Sequence, residues 1–136
     1  MQLNKIIFPA PDSYYDTHKV KDIIWIPKVT KIKSKCCCGL GSGKEQTKVT
    51  YIPCLSIPSG KPCNKIMLYF HGNSEDVGWS LSFLAEIQKS INVHIIAIEY
   101  PGYSLYPGRA KAKTILEDSE VVFDYIMNVL GISEEN

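Results

Sequence analysis

The sequence predicts an α/β fold built on a parallel sheet, and this prediction rests on the segment from Lys65 to Pro101. Five consecutive apolar or aromatic residues, Ile66 to Phe70, are typical of a strand that is buried on both faces. A helical pattern follows, and then a second apolar run from Val93 to Ile98. A strand, a helix and a strand at this spacing indicate a βαβ unit, which builds parallel sheets covered by helices.

Two short loops follow these predicted strands. The tripeptide His71-Gly72-Asn73 comes directly after the first strand, and the loop that begins at Tyr100 follows the second. In open α/β sheets, ligands and chemistry lie beyond the carboxyl ends of the strands. The sequence therefore predicts that both loops lie at the edge of the sheet where ligands bind.

Two helices are predicted from apolar spacing and capping residues. Asn73 is expected to cap the first helix, with Asp76 completing a shortened capping box, and Asn92 is expected to end it. The capping box of Thr114 and Glu117 starts the second helix, which Gly131 closes. Their apolar positions recur at helical spacing: Val77, Leu81, Leu84, Ile87 and Ile91 in the first, and Ile115, Val122, Ile126 and Val129 in the second.

The N-terminal part of the chain is expected to form an antiparallel hairpin. The segments Asp22 to Pro27 and Val49 to Ile57 have strand composition, with Pro53 marking an edge or a bulge. The lysine-, cysteine- and glycine-rich residues 28–48 between them are expected to form a long exposed loop. Residues 1–20 are expected to be an extended arm on the surface, and residues 21–136 a single domain.

Composition narrows the classes of function. With 45% hydrophobic and 21% charged residues, the chain of 136 residues is typical of one small soluble domain. A net charge of +1 gives no electrostatic case for binding nucleic acid, and no apolar run is long enough to cross a bilayer. Five cysteines, three of them consecutive, favour a reducing compartment, so we expect a cytoplasmic protein.

A family resemblance lies in the segment from Tyr69 to Asp76, followed by Glu99 to Tyr103. This pattern resembles the first half of an α/β-hydrolase, and it is similar to the BEM46-like group, which includes the α/β-hydrolase-domain-17 protein depalmitoylases. The similarity covers about residues 64–131, and Phe8-Pro9-Ala10-Pro11 with Ser13-Tyr14 is also similar. The resemblance implies a serine hydrolase that cleaves an ester or thioester of a lipid or lipidated protein. No cofactor and no metal are expected.

The resemblance also implies roles for residues of the two loops. Asn73 would donate its backbone N–H to the oxyanion of the tetrahedral intermediate, in addition to its expected role as a helix cap. Gly72 lets the backbone approach a substrate closely, and His71 supports the loop instead of acting as the base. The aromatic residues of the second loop form one wall of the substrate cleft or else pack internally: Tyr100, Tyr103 and Tyr106.

The catalytic residues of a serine hydrolase are missing from this sequence. It contains no Gly-x-Ser-x-Gly, because the pattern that begins at Gly102 has Tyr106 in its fifth position. No histidine follows His94, whereas this fold takes its base from late in the chain. We therefore expect a hydrolase fold truncated before the nucleophile strand and inactive by itself, with the nucleophile, acid and base encoded beyond Asn136.

The three adjacent cysteines in the lysine-rich loop have three interpretations. A metal site is a poor one, because adjacent cysteines do not spread around a tetrahedral ion. The other two are a plain solvated loop and S-acylation of Cys36, Cys37 and Cys38, in which lipid and lysines together bind a membrane surface. This leads to an alternative function, a non-enzymatic protein that docks on membranes or partners through the loop.

S-acylation predicts a measurable loss of signal. Replacing the cluster by Cys36→Ser, Cys37→Ser and Cys38→Ser is expected to lower the acyl-biotin exchange signal relative to the parent chain, because it removes the thiols that would carry the acyl groups. An unchanged signal in the triple variant, relative to the parent chain, would reject acylation at these positions.

Overall fold

The described part of the chain forms a four-stranded mixed sheet with one helix on each face. The structure is a computed structural model, and it describes residues 6–13, 15, 20–33 and 45–136. The elements in chain order are β1 (Ile23–Lys33), β2 (Glu45–Ile57), β3 (Ile66–Phe70), α1 (Val77–Ile91), β4 (His94–Ile98) and α2 (Ala112–Asn128). The strands are arranged in the order β1-β2-β4-β3.

The sheet combines the two predicted units. β3 and β4 are parallel, from the pair Ile66 and His94 to the pair Phe70 and Ile98, as the strand-helix-strand pattern predicts. β1 and β2 form the predicted antiparallel hairpin, and β2 also pairs antiparallel with β4. This architecture is the α/β class expected from sequence and matches a partial α/β-hydrolase fold.

Alternate residues of β4 fill two separate core layers, because successive side chains of a strand point to opposite faces. Ile95 and Ala97 pack with Leu84 of α1, while Ile96 and Ile98 pack with Val122 of α2. Buried on both faces, β4 is therefore the central strand of the structure.

β1 and β2 are longer than predicted, so the loop between them is shorter. Residues 28–33 and 45–48, which were expected in the loop, pair from Lys28 with Thr50 to Lys33 with Glu45. The prediction was wrong because lysine and threonine side chains are accommodated on exposed faces of paired strands. The remaining residues, 34–44, lie outside the described part of the chain.

Pro53 lies inside β2 without a bulge, in a strand that is not at the edge of the sheet. Its carbonyl accepts a hydrogen bond from Glu99 N at 3.1 Å, so this residue faces the β4 side. The N–H and C=O of a strand residue point to the same side, and the missing N–H of Pro53 therefore costs no bond to β1. The expectation of an edge or bulge was wrong for this reason.

The first helix begins at Val77, three residues later than a cap at Asn73 requires. Asp76 is the N-cap, and its carboxylate accepts a hydrogen bond from Trp79 N at 2.8 Å. Asn73 lies before this cap, in an exposed turn, so its expected capping role was wrong. Asn92 ends the helix in the left-handed conformation, with a φ of 51°, as predicted. Ile91 is exposed, although the spacing places it on the apolar face.

The second helix begins before its predicted capping residue. Lys111 is the N-cap position, and Thr114 is the third helical residue, whose hydroxyl accepts a hydrogen bond from Lys111 N at 3.2 Å. Val122 and Ile126 are buried as expected, whereas Val129 follows the last helical turn and is exposed. Gly131 has a φ of 68°, which suits a residue just beyond a helix end.

Two described residues of the N-terminal arm enter the core, although the arm was expected to lie on the surface. Tyr15 and Val20 are buried in the layer under α1, together with Leu55 and Leu84. Tyr15 also reaches across to the end of β4, where its hydroxyl donates to the Glu99 carboxylate at 3.0 Å. The arm therefore completes one core layer.

β3 is half-buried, and not buried on both faces as its composition predicts. It lies at the edge of the sheet, so within the described residues only β4 pairs with it. On the outer side, Ile66 N donates to Asn136 O at 3.2 Å. Among the helices that the structure describes, none has the length and apolar character needed to cross a membrane.

The close packing of Gly78 against Tyr15 predicts that alanine at position 78 destabilises the chain, although alanine is the better helix former. Alanine is ordinarily better than glycine in a helix by about 1 kcal/mol, but a Cβ at Gly78 would overlap the Tyr15 ring. We expect Gly78→Ala to lower the free energy of unfolding by about 1–3 kcal/mol in urea denaturation. Ser82→Ala, at an exposed position of the same helix, is the matched control and is expected to be neutral. A Gly78→Ala chain as stable as the parent would contradict this packing.

Candidate functional site

The candidate site lies where β3 and β4 end side by side. Because Phe70 pairs with Ile98 in the parallel ladder, the next residues, His71 and Glu99, emerge at the same edge of the sheet. Both side chains are fully buried, and His71 Nε2 lies 2.8 Å from Glu99 Oε1. The structure thus brings the two predicted loops together through a residue that the sequence analysis did not single out.

Glu99 is the hydrogen-bonding centre of this site. Its Oε1 faces His71 Nε2 and accepts from its neighbour Tyr100 N at 3.0 Å. Its Oε2 accepts from the Tyr15 hydroxyl at 3.0 Å and from Val77 N at 3.3 Å. A carboxylate is an acceptor through both oxygens, so it satisfies four donors at once. We call these five residues the Glu99 cluster: Tyr15, His71, Val77, Glu99 and Tyr100.

His71 is held on three sides. Its second ring nitrogen, Nδ1, lies 3.0 Å from Gly72 O. The Tyr100 ring stacks on the imidazole with a centroid distance of 3.9 Å, and the Tyr100 hydroxyl donates to His71 O at 2.9 Å. The backbone at the start of the loop is thereby fixed by hydrogen bonds from both the main chain and side chains.

Burial changes the acidity of the tyrosines around Glu99. Removal from water raises the pKa of Tyr100 to about 12, with smaller contributions from Tyr103 and Glu99. The pKa of Tyr15 is raised for the same first reason, and next by the charge of Glu99, to which its hydroxyl donates. Both hydroxyls therefore stay protonated as donors over the physiological range.

Gly72 and Asn73 are exposed at the surface of the loop. Glu75 N donates to Gly72 O at 3.3 Å, and Ser74 has a φ of 66°, so the chain turns sharply before α1 begins. No described residue is hydrogen-bonded to Asn73. The oxyanion role of its N–H stays a prediction.

The three tyrosines predicted for a cleft wall have different environments. Tyr100 and Tyr103 are buried in a small cluster with Ala110, so both pack internally. Tyr106 is half-buried, and its hydroxyl donates to Asp118 Oδ2 at 3.0 Å, next to the Lys28–Asp118 ion pair of 2.6 Å. Burial and Asp118 raise the pKa of Tyr106. That these residues form a wall of a substrate cleft stays a prediction.

A cavity of about 910 Å³ lies beside Tyr106, between the extended hairpin, the loop after β4 and the start of α2. It contains neither His71 nor Asn73. Its lining residues are Trp25, Lys28, Lys48, Thr50, Tyr51, Pro101, Tyr106, Pro107, Gly108, Arg109, Thr114 and Asp118. The sequence pattern does not reveal this cavity, because the cavity depends on the unexpected length of the hairpin.

The remaining cysteines and His94 lie away from the Glu99 cluster or outside the described residues. The candidate acylation residues Cys36, Cys37 and Cys38 lie outside the described residues, so their acylation and membrane binding stay predictions. His94 is half-buried, accepts from Ser59 N at 3.2 Å and lies 3.1 Å from Cys63 O. Within residues 6–13, 15, 20–33 and 45–136, no three histidine, cysteine or acidic residues are grouped to hold a metal ion.

Comparison with curated proteins gives several matches. The α/β hydrolase domain-containing protein 17C of Xenopus laevis is 25% identical over 87 residues, which is 64% of this chain and 28% of that protein. The human protein 17B is 28% identical over 90 residues, 66% of this chain and 31% of that protein. The Caenorhabditis elegans protein aho-3, also described as α/β hydrolase domain-containing, is 28% identical over 69 residues, 51% of this chain and 21% of that protein.

No family model and no solved structure matches the chain. The mixed sheet and its two covering helices match a partial α/β-hydrolase fold, and the similarity to the curated relatives supports the α/β-hydrolase family. The proteins named α/β hydrolase domain-containing protein 17B and 17C are among those to which the chain is similar. The match covers less than a third of the length of these relatives.

The four hydrogen bonds of the Glu99 side chain predict that Glu99→Gln destabilises the fold, although glutamine has nearly the same shape as glutamate. Glu99→Gln replaces one acceptor oxygen by an NH2 group that faces two donors. We expect the free energy of unfolding to fall by about 1–3 kcal/mol in urea denaturation, since buried donors lose their partners. Glu120→Gln, at an exposed position of α2, is the control. Equal stability of the two variants would contradict the proposed importance of the cluster.

The raised tyrosine pKa values predict loss of stability in alkali. An unfolded tyrosine releases its proton near pH 10, whereas Tyr100 retains it to about 12 in the folded chain. Unfolding therefore releases a proton between these values, and the free energy of unfolding falls as pH rises through them. Tyr100→Phe is expected to reduce this slope in thermal melts at pH 10–12. At pH 7 the same variant reports only the lost bond to His71 O, which separates the two effects; an unchanged slope would refute the assignment.

Proposed function

We propose that this chain supplies the oxyanion-loop half of a serine hydrolase that cleaves an ester or thioester. The observation that carries the proposal is the position of His71-Gly72-Asn73 at the carboxyl end of β3, anchored to β4 by the 2.8 Å contact of His71 with Glu99. In α/β-hydrolases one oxyanion donor comes from the loop at this place, and the other follows the nucleophile.

The proposed chemistry uses the main chain of the loop. The carbonyl oxygen of the substrate gains negative charge in the tetrahedral intermediate, and a donor that is already oriented stabilises it without reorganisation. Asn73 N–H is that donor, and Gly72 leaves room for the reacting carbonyl because it has no side chain. Asn73 and Gly72 are exposed, as residues that touch substrate must be.

His71 and Glu99 act as positioning residues in this proposal. The hydrogen bonds of the Glu99 cluster hold the end of β3, the end of β4 and the first residue of α1 together. Because His71 is anchored, the loop that follows it is proposed to hold its N–H groups in one orientation. Electrostatic stabilisation of an oxyanion requires donors that are oriented before the reaction. His71 has both nitrogens engaged inside this framework and is therefore not proposed as the base.

The substrate class is proposed from the resemblance to the depalmitoylase group. An acyl ester or thioester of a lipid or lipidated protein is the proposed substrate, and protein depalmitoylation is the specific reaction. The nucleophile, the acid and the base are proposed to lie in sequence beyond Asn136. The 136 residues alone are expected to be inactive, since they contain no Gly-x-Ser-x-Gly.

Labelling with a fluorophosphonate probe tests this proposal. The first step is to read the coding DNA past Asn136 for an apolar strand followed by Gly-x-Ser-x-Gly. The longer product is expected to react with the probe through its serine, and the 136-residue chain is not. Labelling of the 136-residue chain, or a reading frame without Gly-x-Ser-x-Gly, would reject the proposal that the oxyanion loop lies in this chain and the nucleophile beyond it.

Two substitutions at one position separate the main-chain role of Asn73 from its side chain. Asn73→Pro removes the N–H and is expected to lower kcat of the longer product by about 10²–10³-fold. Asn73→Ala keeps the N–H, and because Asp76 is the helix cap, it is expected to retain activity and stability. Equal activity of the proline and alanine variants, with both chains folded, would remove Asn73 from the oxyanion hole.

A further inference from the structure

The hairpin face that points toward α2 carries apolar side chains first and charged ones further out. Ile26 and Ile52 lie opposite each other on this face and pack with Val122 of α2. Side chains two residues apart in a strand share a face. This rule places three polar residues beyond the two isoleucines on the same side: Lys28, Thr50 and Lys48. The layer between hairpin and helix therefore changes along the strands from an apolar core to a polar region.

The cavity of about 910 Å³ lies in this polar region, between the hairpin, the start of α2 and the loop after β4. Cavities of about 300–1,000 Å³ are large enough for small organic ligands. None of the residues that line it belongs to the Glu99 cluster, and neither Gly72 nor Asn73 is among them. By the register rule, Trp25 and Tyr51 border it from the opposite face, so the polar side chains that face a ligand are those on the α2 side.

The buried carboxylate in the wall of the cavity is already neutralised. Asp118 is 1% exposed, and its Oδ1 accepts a hydrogen bond from Lys28 Nζ at 2.6 Å. Its Oδ2 accepts one from the Tyr106 hydroxyl at 3.0 Å, and burial together with the Asp118 charge raises the pKa of that phenol. Asp118 therefore has a donor on each oxygen and a cation beside it, which reduces its repulsion of an anion in the cavity.

Two further cations of the cavity have no carboxylate partner within the described residues. Lys48 and Arg109 are both exposed, and neither takes part in any ion pair that these residues form. The lining thus holds the cations Lys28, Lys48 and Arg109 against the one carboxylate of Asp118, an excess of two positive charges. A concave surface lined by one sign of charge concentrates the electric field and attracts ions of the opposite sign.

We propose that this cavity binds a small organic phosphate. A phosphomonoester carries about 1.5–2 negative charges at pH 7, which matches the excess of two positive charges. The planar guanidinium of Arg109 donates two parallel N–H groups to phosphate oxygens, and Lys48 acts as a point charge. Tyr106, Pro101 and Pro107 supply apolar surface for the organic part of the ligand. A carboxylate ligand is the weaker match because it carries one charge.

Amide NMR of the 136-residue chain locates and measures the binding. Titration with phenyl phosphate is expected to shift the amides of Thr50, Gly108 and Arg109 and to leave those of Gly72 and Asn73 in place. Benzoate has the same ring and a single charge. At equal ionic strength it is expected to bind at least about tenfold more weakly, since a charge-assisted hydrogen bond is lost.

A lipid headgroup is the other source of a phosphomonoester, and vesicles distinguish it from a soluble ligand. Phosphatidylcholine vesicles that contain phosphatidic acid are expected not to displace phenyl phosphate, because a phosphate fixed at a bilayer surface does not enter a cavity between three elements of the chain. Displacement by these vesicles, and not by pure phosphatidylcholine, would overturn the assignment to a soluble ligand.

Substitutions of the two cations without a carboxylate partner test the contacts themselves. Lys48→Gln and Arg109→Gln are each expected to weaken binding of phenyl phosphate about tenfold, through the loss of a charge-assisted hydrogen bond. Arg109→Lys keeps the charge but not the planar fork, and it is expected to recover only part of the affinity. Lys89→Gln, at an exposed position of α1 outside the cavity, removes the same charge and is the matched control that binds as the parent.

The three substituted positions are exposed, so each variant is expected to melt as the parent does in circular dichroism, and weakened binding then reports lost contacts. Four results would overturn the inference: no amide shift at the cavity, shifts confined to Gly72 and Asn73, benzoate binding as tight as that of phenyl phosphate, or equal affinity of the Lys48→Gln, Arg109→Gln and control chains.

Discussion

The hydrogen bonding of the buried Glu99 carboxylate is the interaction on which the rest of the described structure depends. It takes donors from the N-terminal arm, the end of β3, the start of α1 and the loop after β4. A buried charge is costly unless it is fully hydrogen-bonded. The loss of one donor to Glu99 would therefore make burial of its carboxylate less favourable. The position of the loop after β3 is therefore coupled to the folding of the whole sheet.

This coupling anchors the residue that precedes an exposed loop. Gly72 and Asn73 are open to solvent, yet the residue before them is buried, stacked on Tyr100 and bonded through both ring nitrogens. The proposed oxyanion role of Asn73 requires an exposed N–H beside an anchored residue.

Helices and strands with a strong apolar periodicity were predicted correctly, whereas the residues at which they begin and end were not. The parallel pair β3 and β4 and the buried positions Leu84, Val122 and Ile126 follow from apolar spacing, which reports burial directly. The cap of α1 was misplaced because Asn73 and Asp76 have similar capping propensity, and only the three-dimensional turn selects Asp76. The hairpin was underestimated because its outer residues pair without being buried.

The sequence by itself determined the α/β class, the βαβ unit and the loop that resembles the hydrolase family, because these depend on local pattern. The tertiary structure decided that Glu99 joins His71 and Tyr15, residues 28 and 84 positions away from it along the chain. It also decided which residues of the hairpin face outward together, since that depends on register. A local pattern carries no information on which distant donors will meet one buried acceptor, and that meeting is what fixes the candidate site.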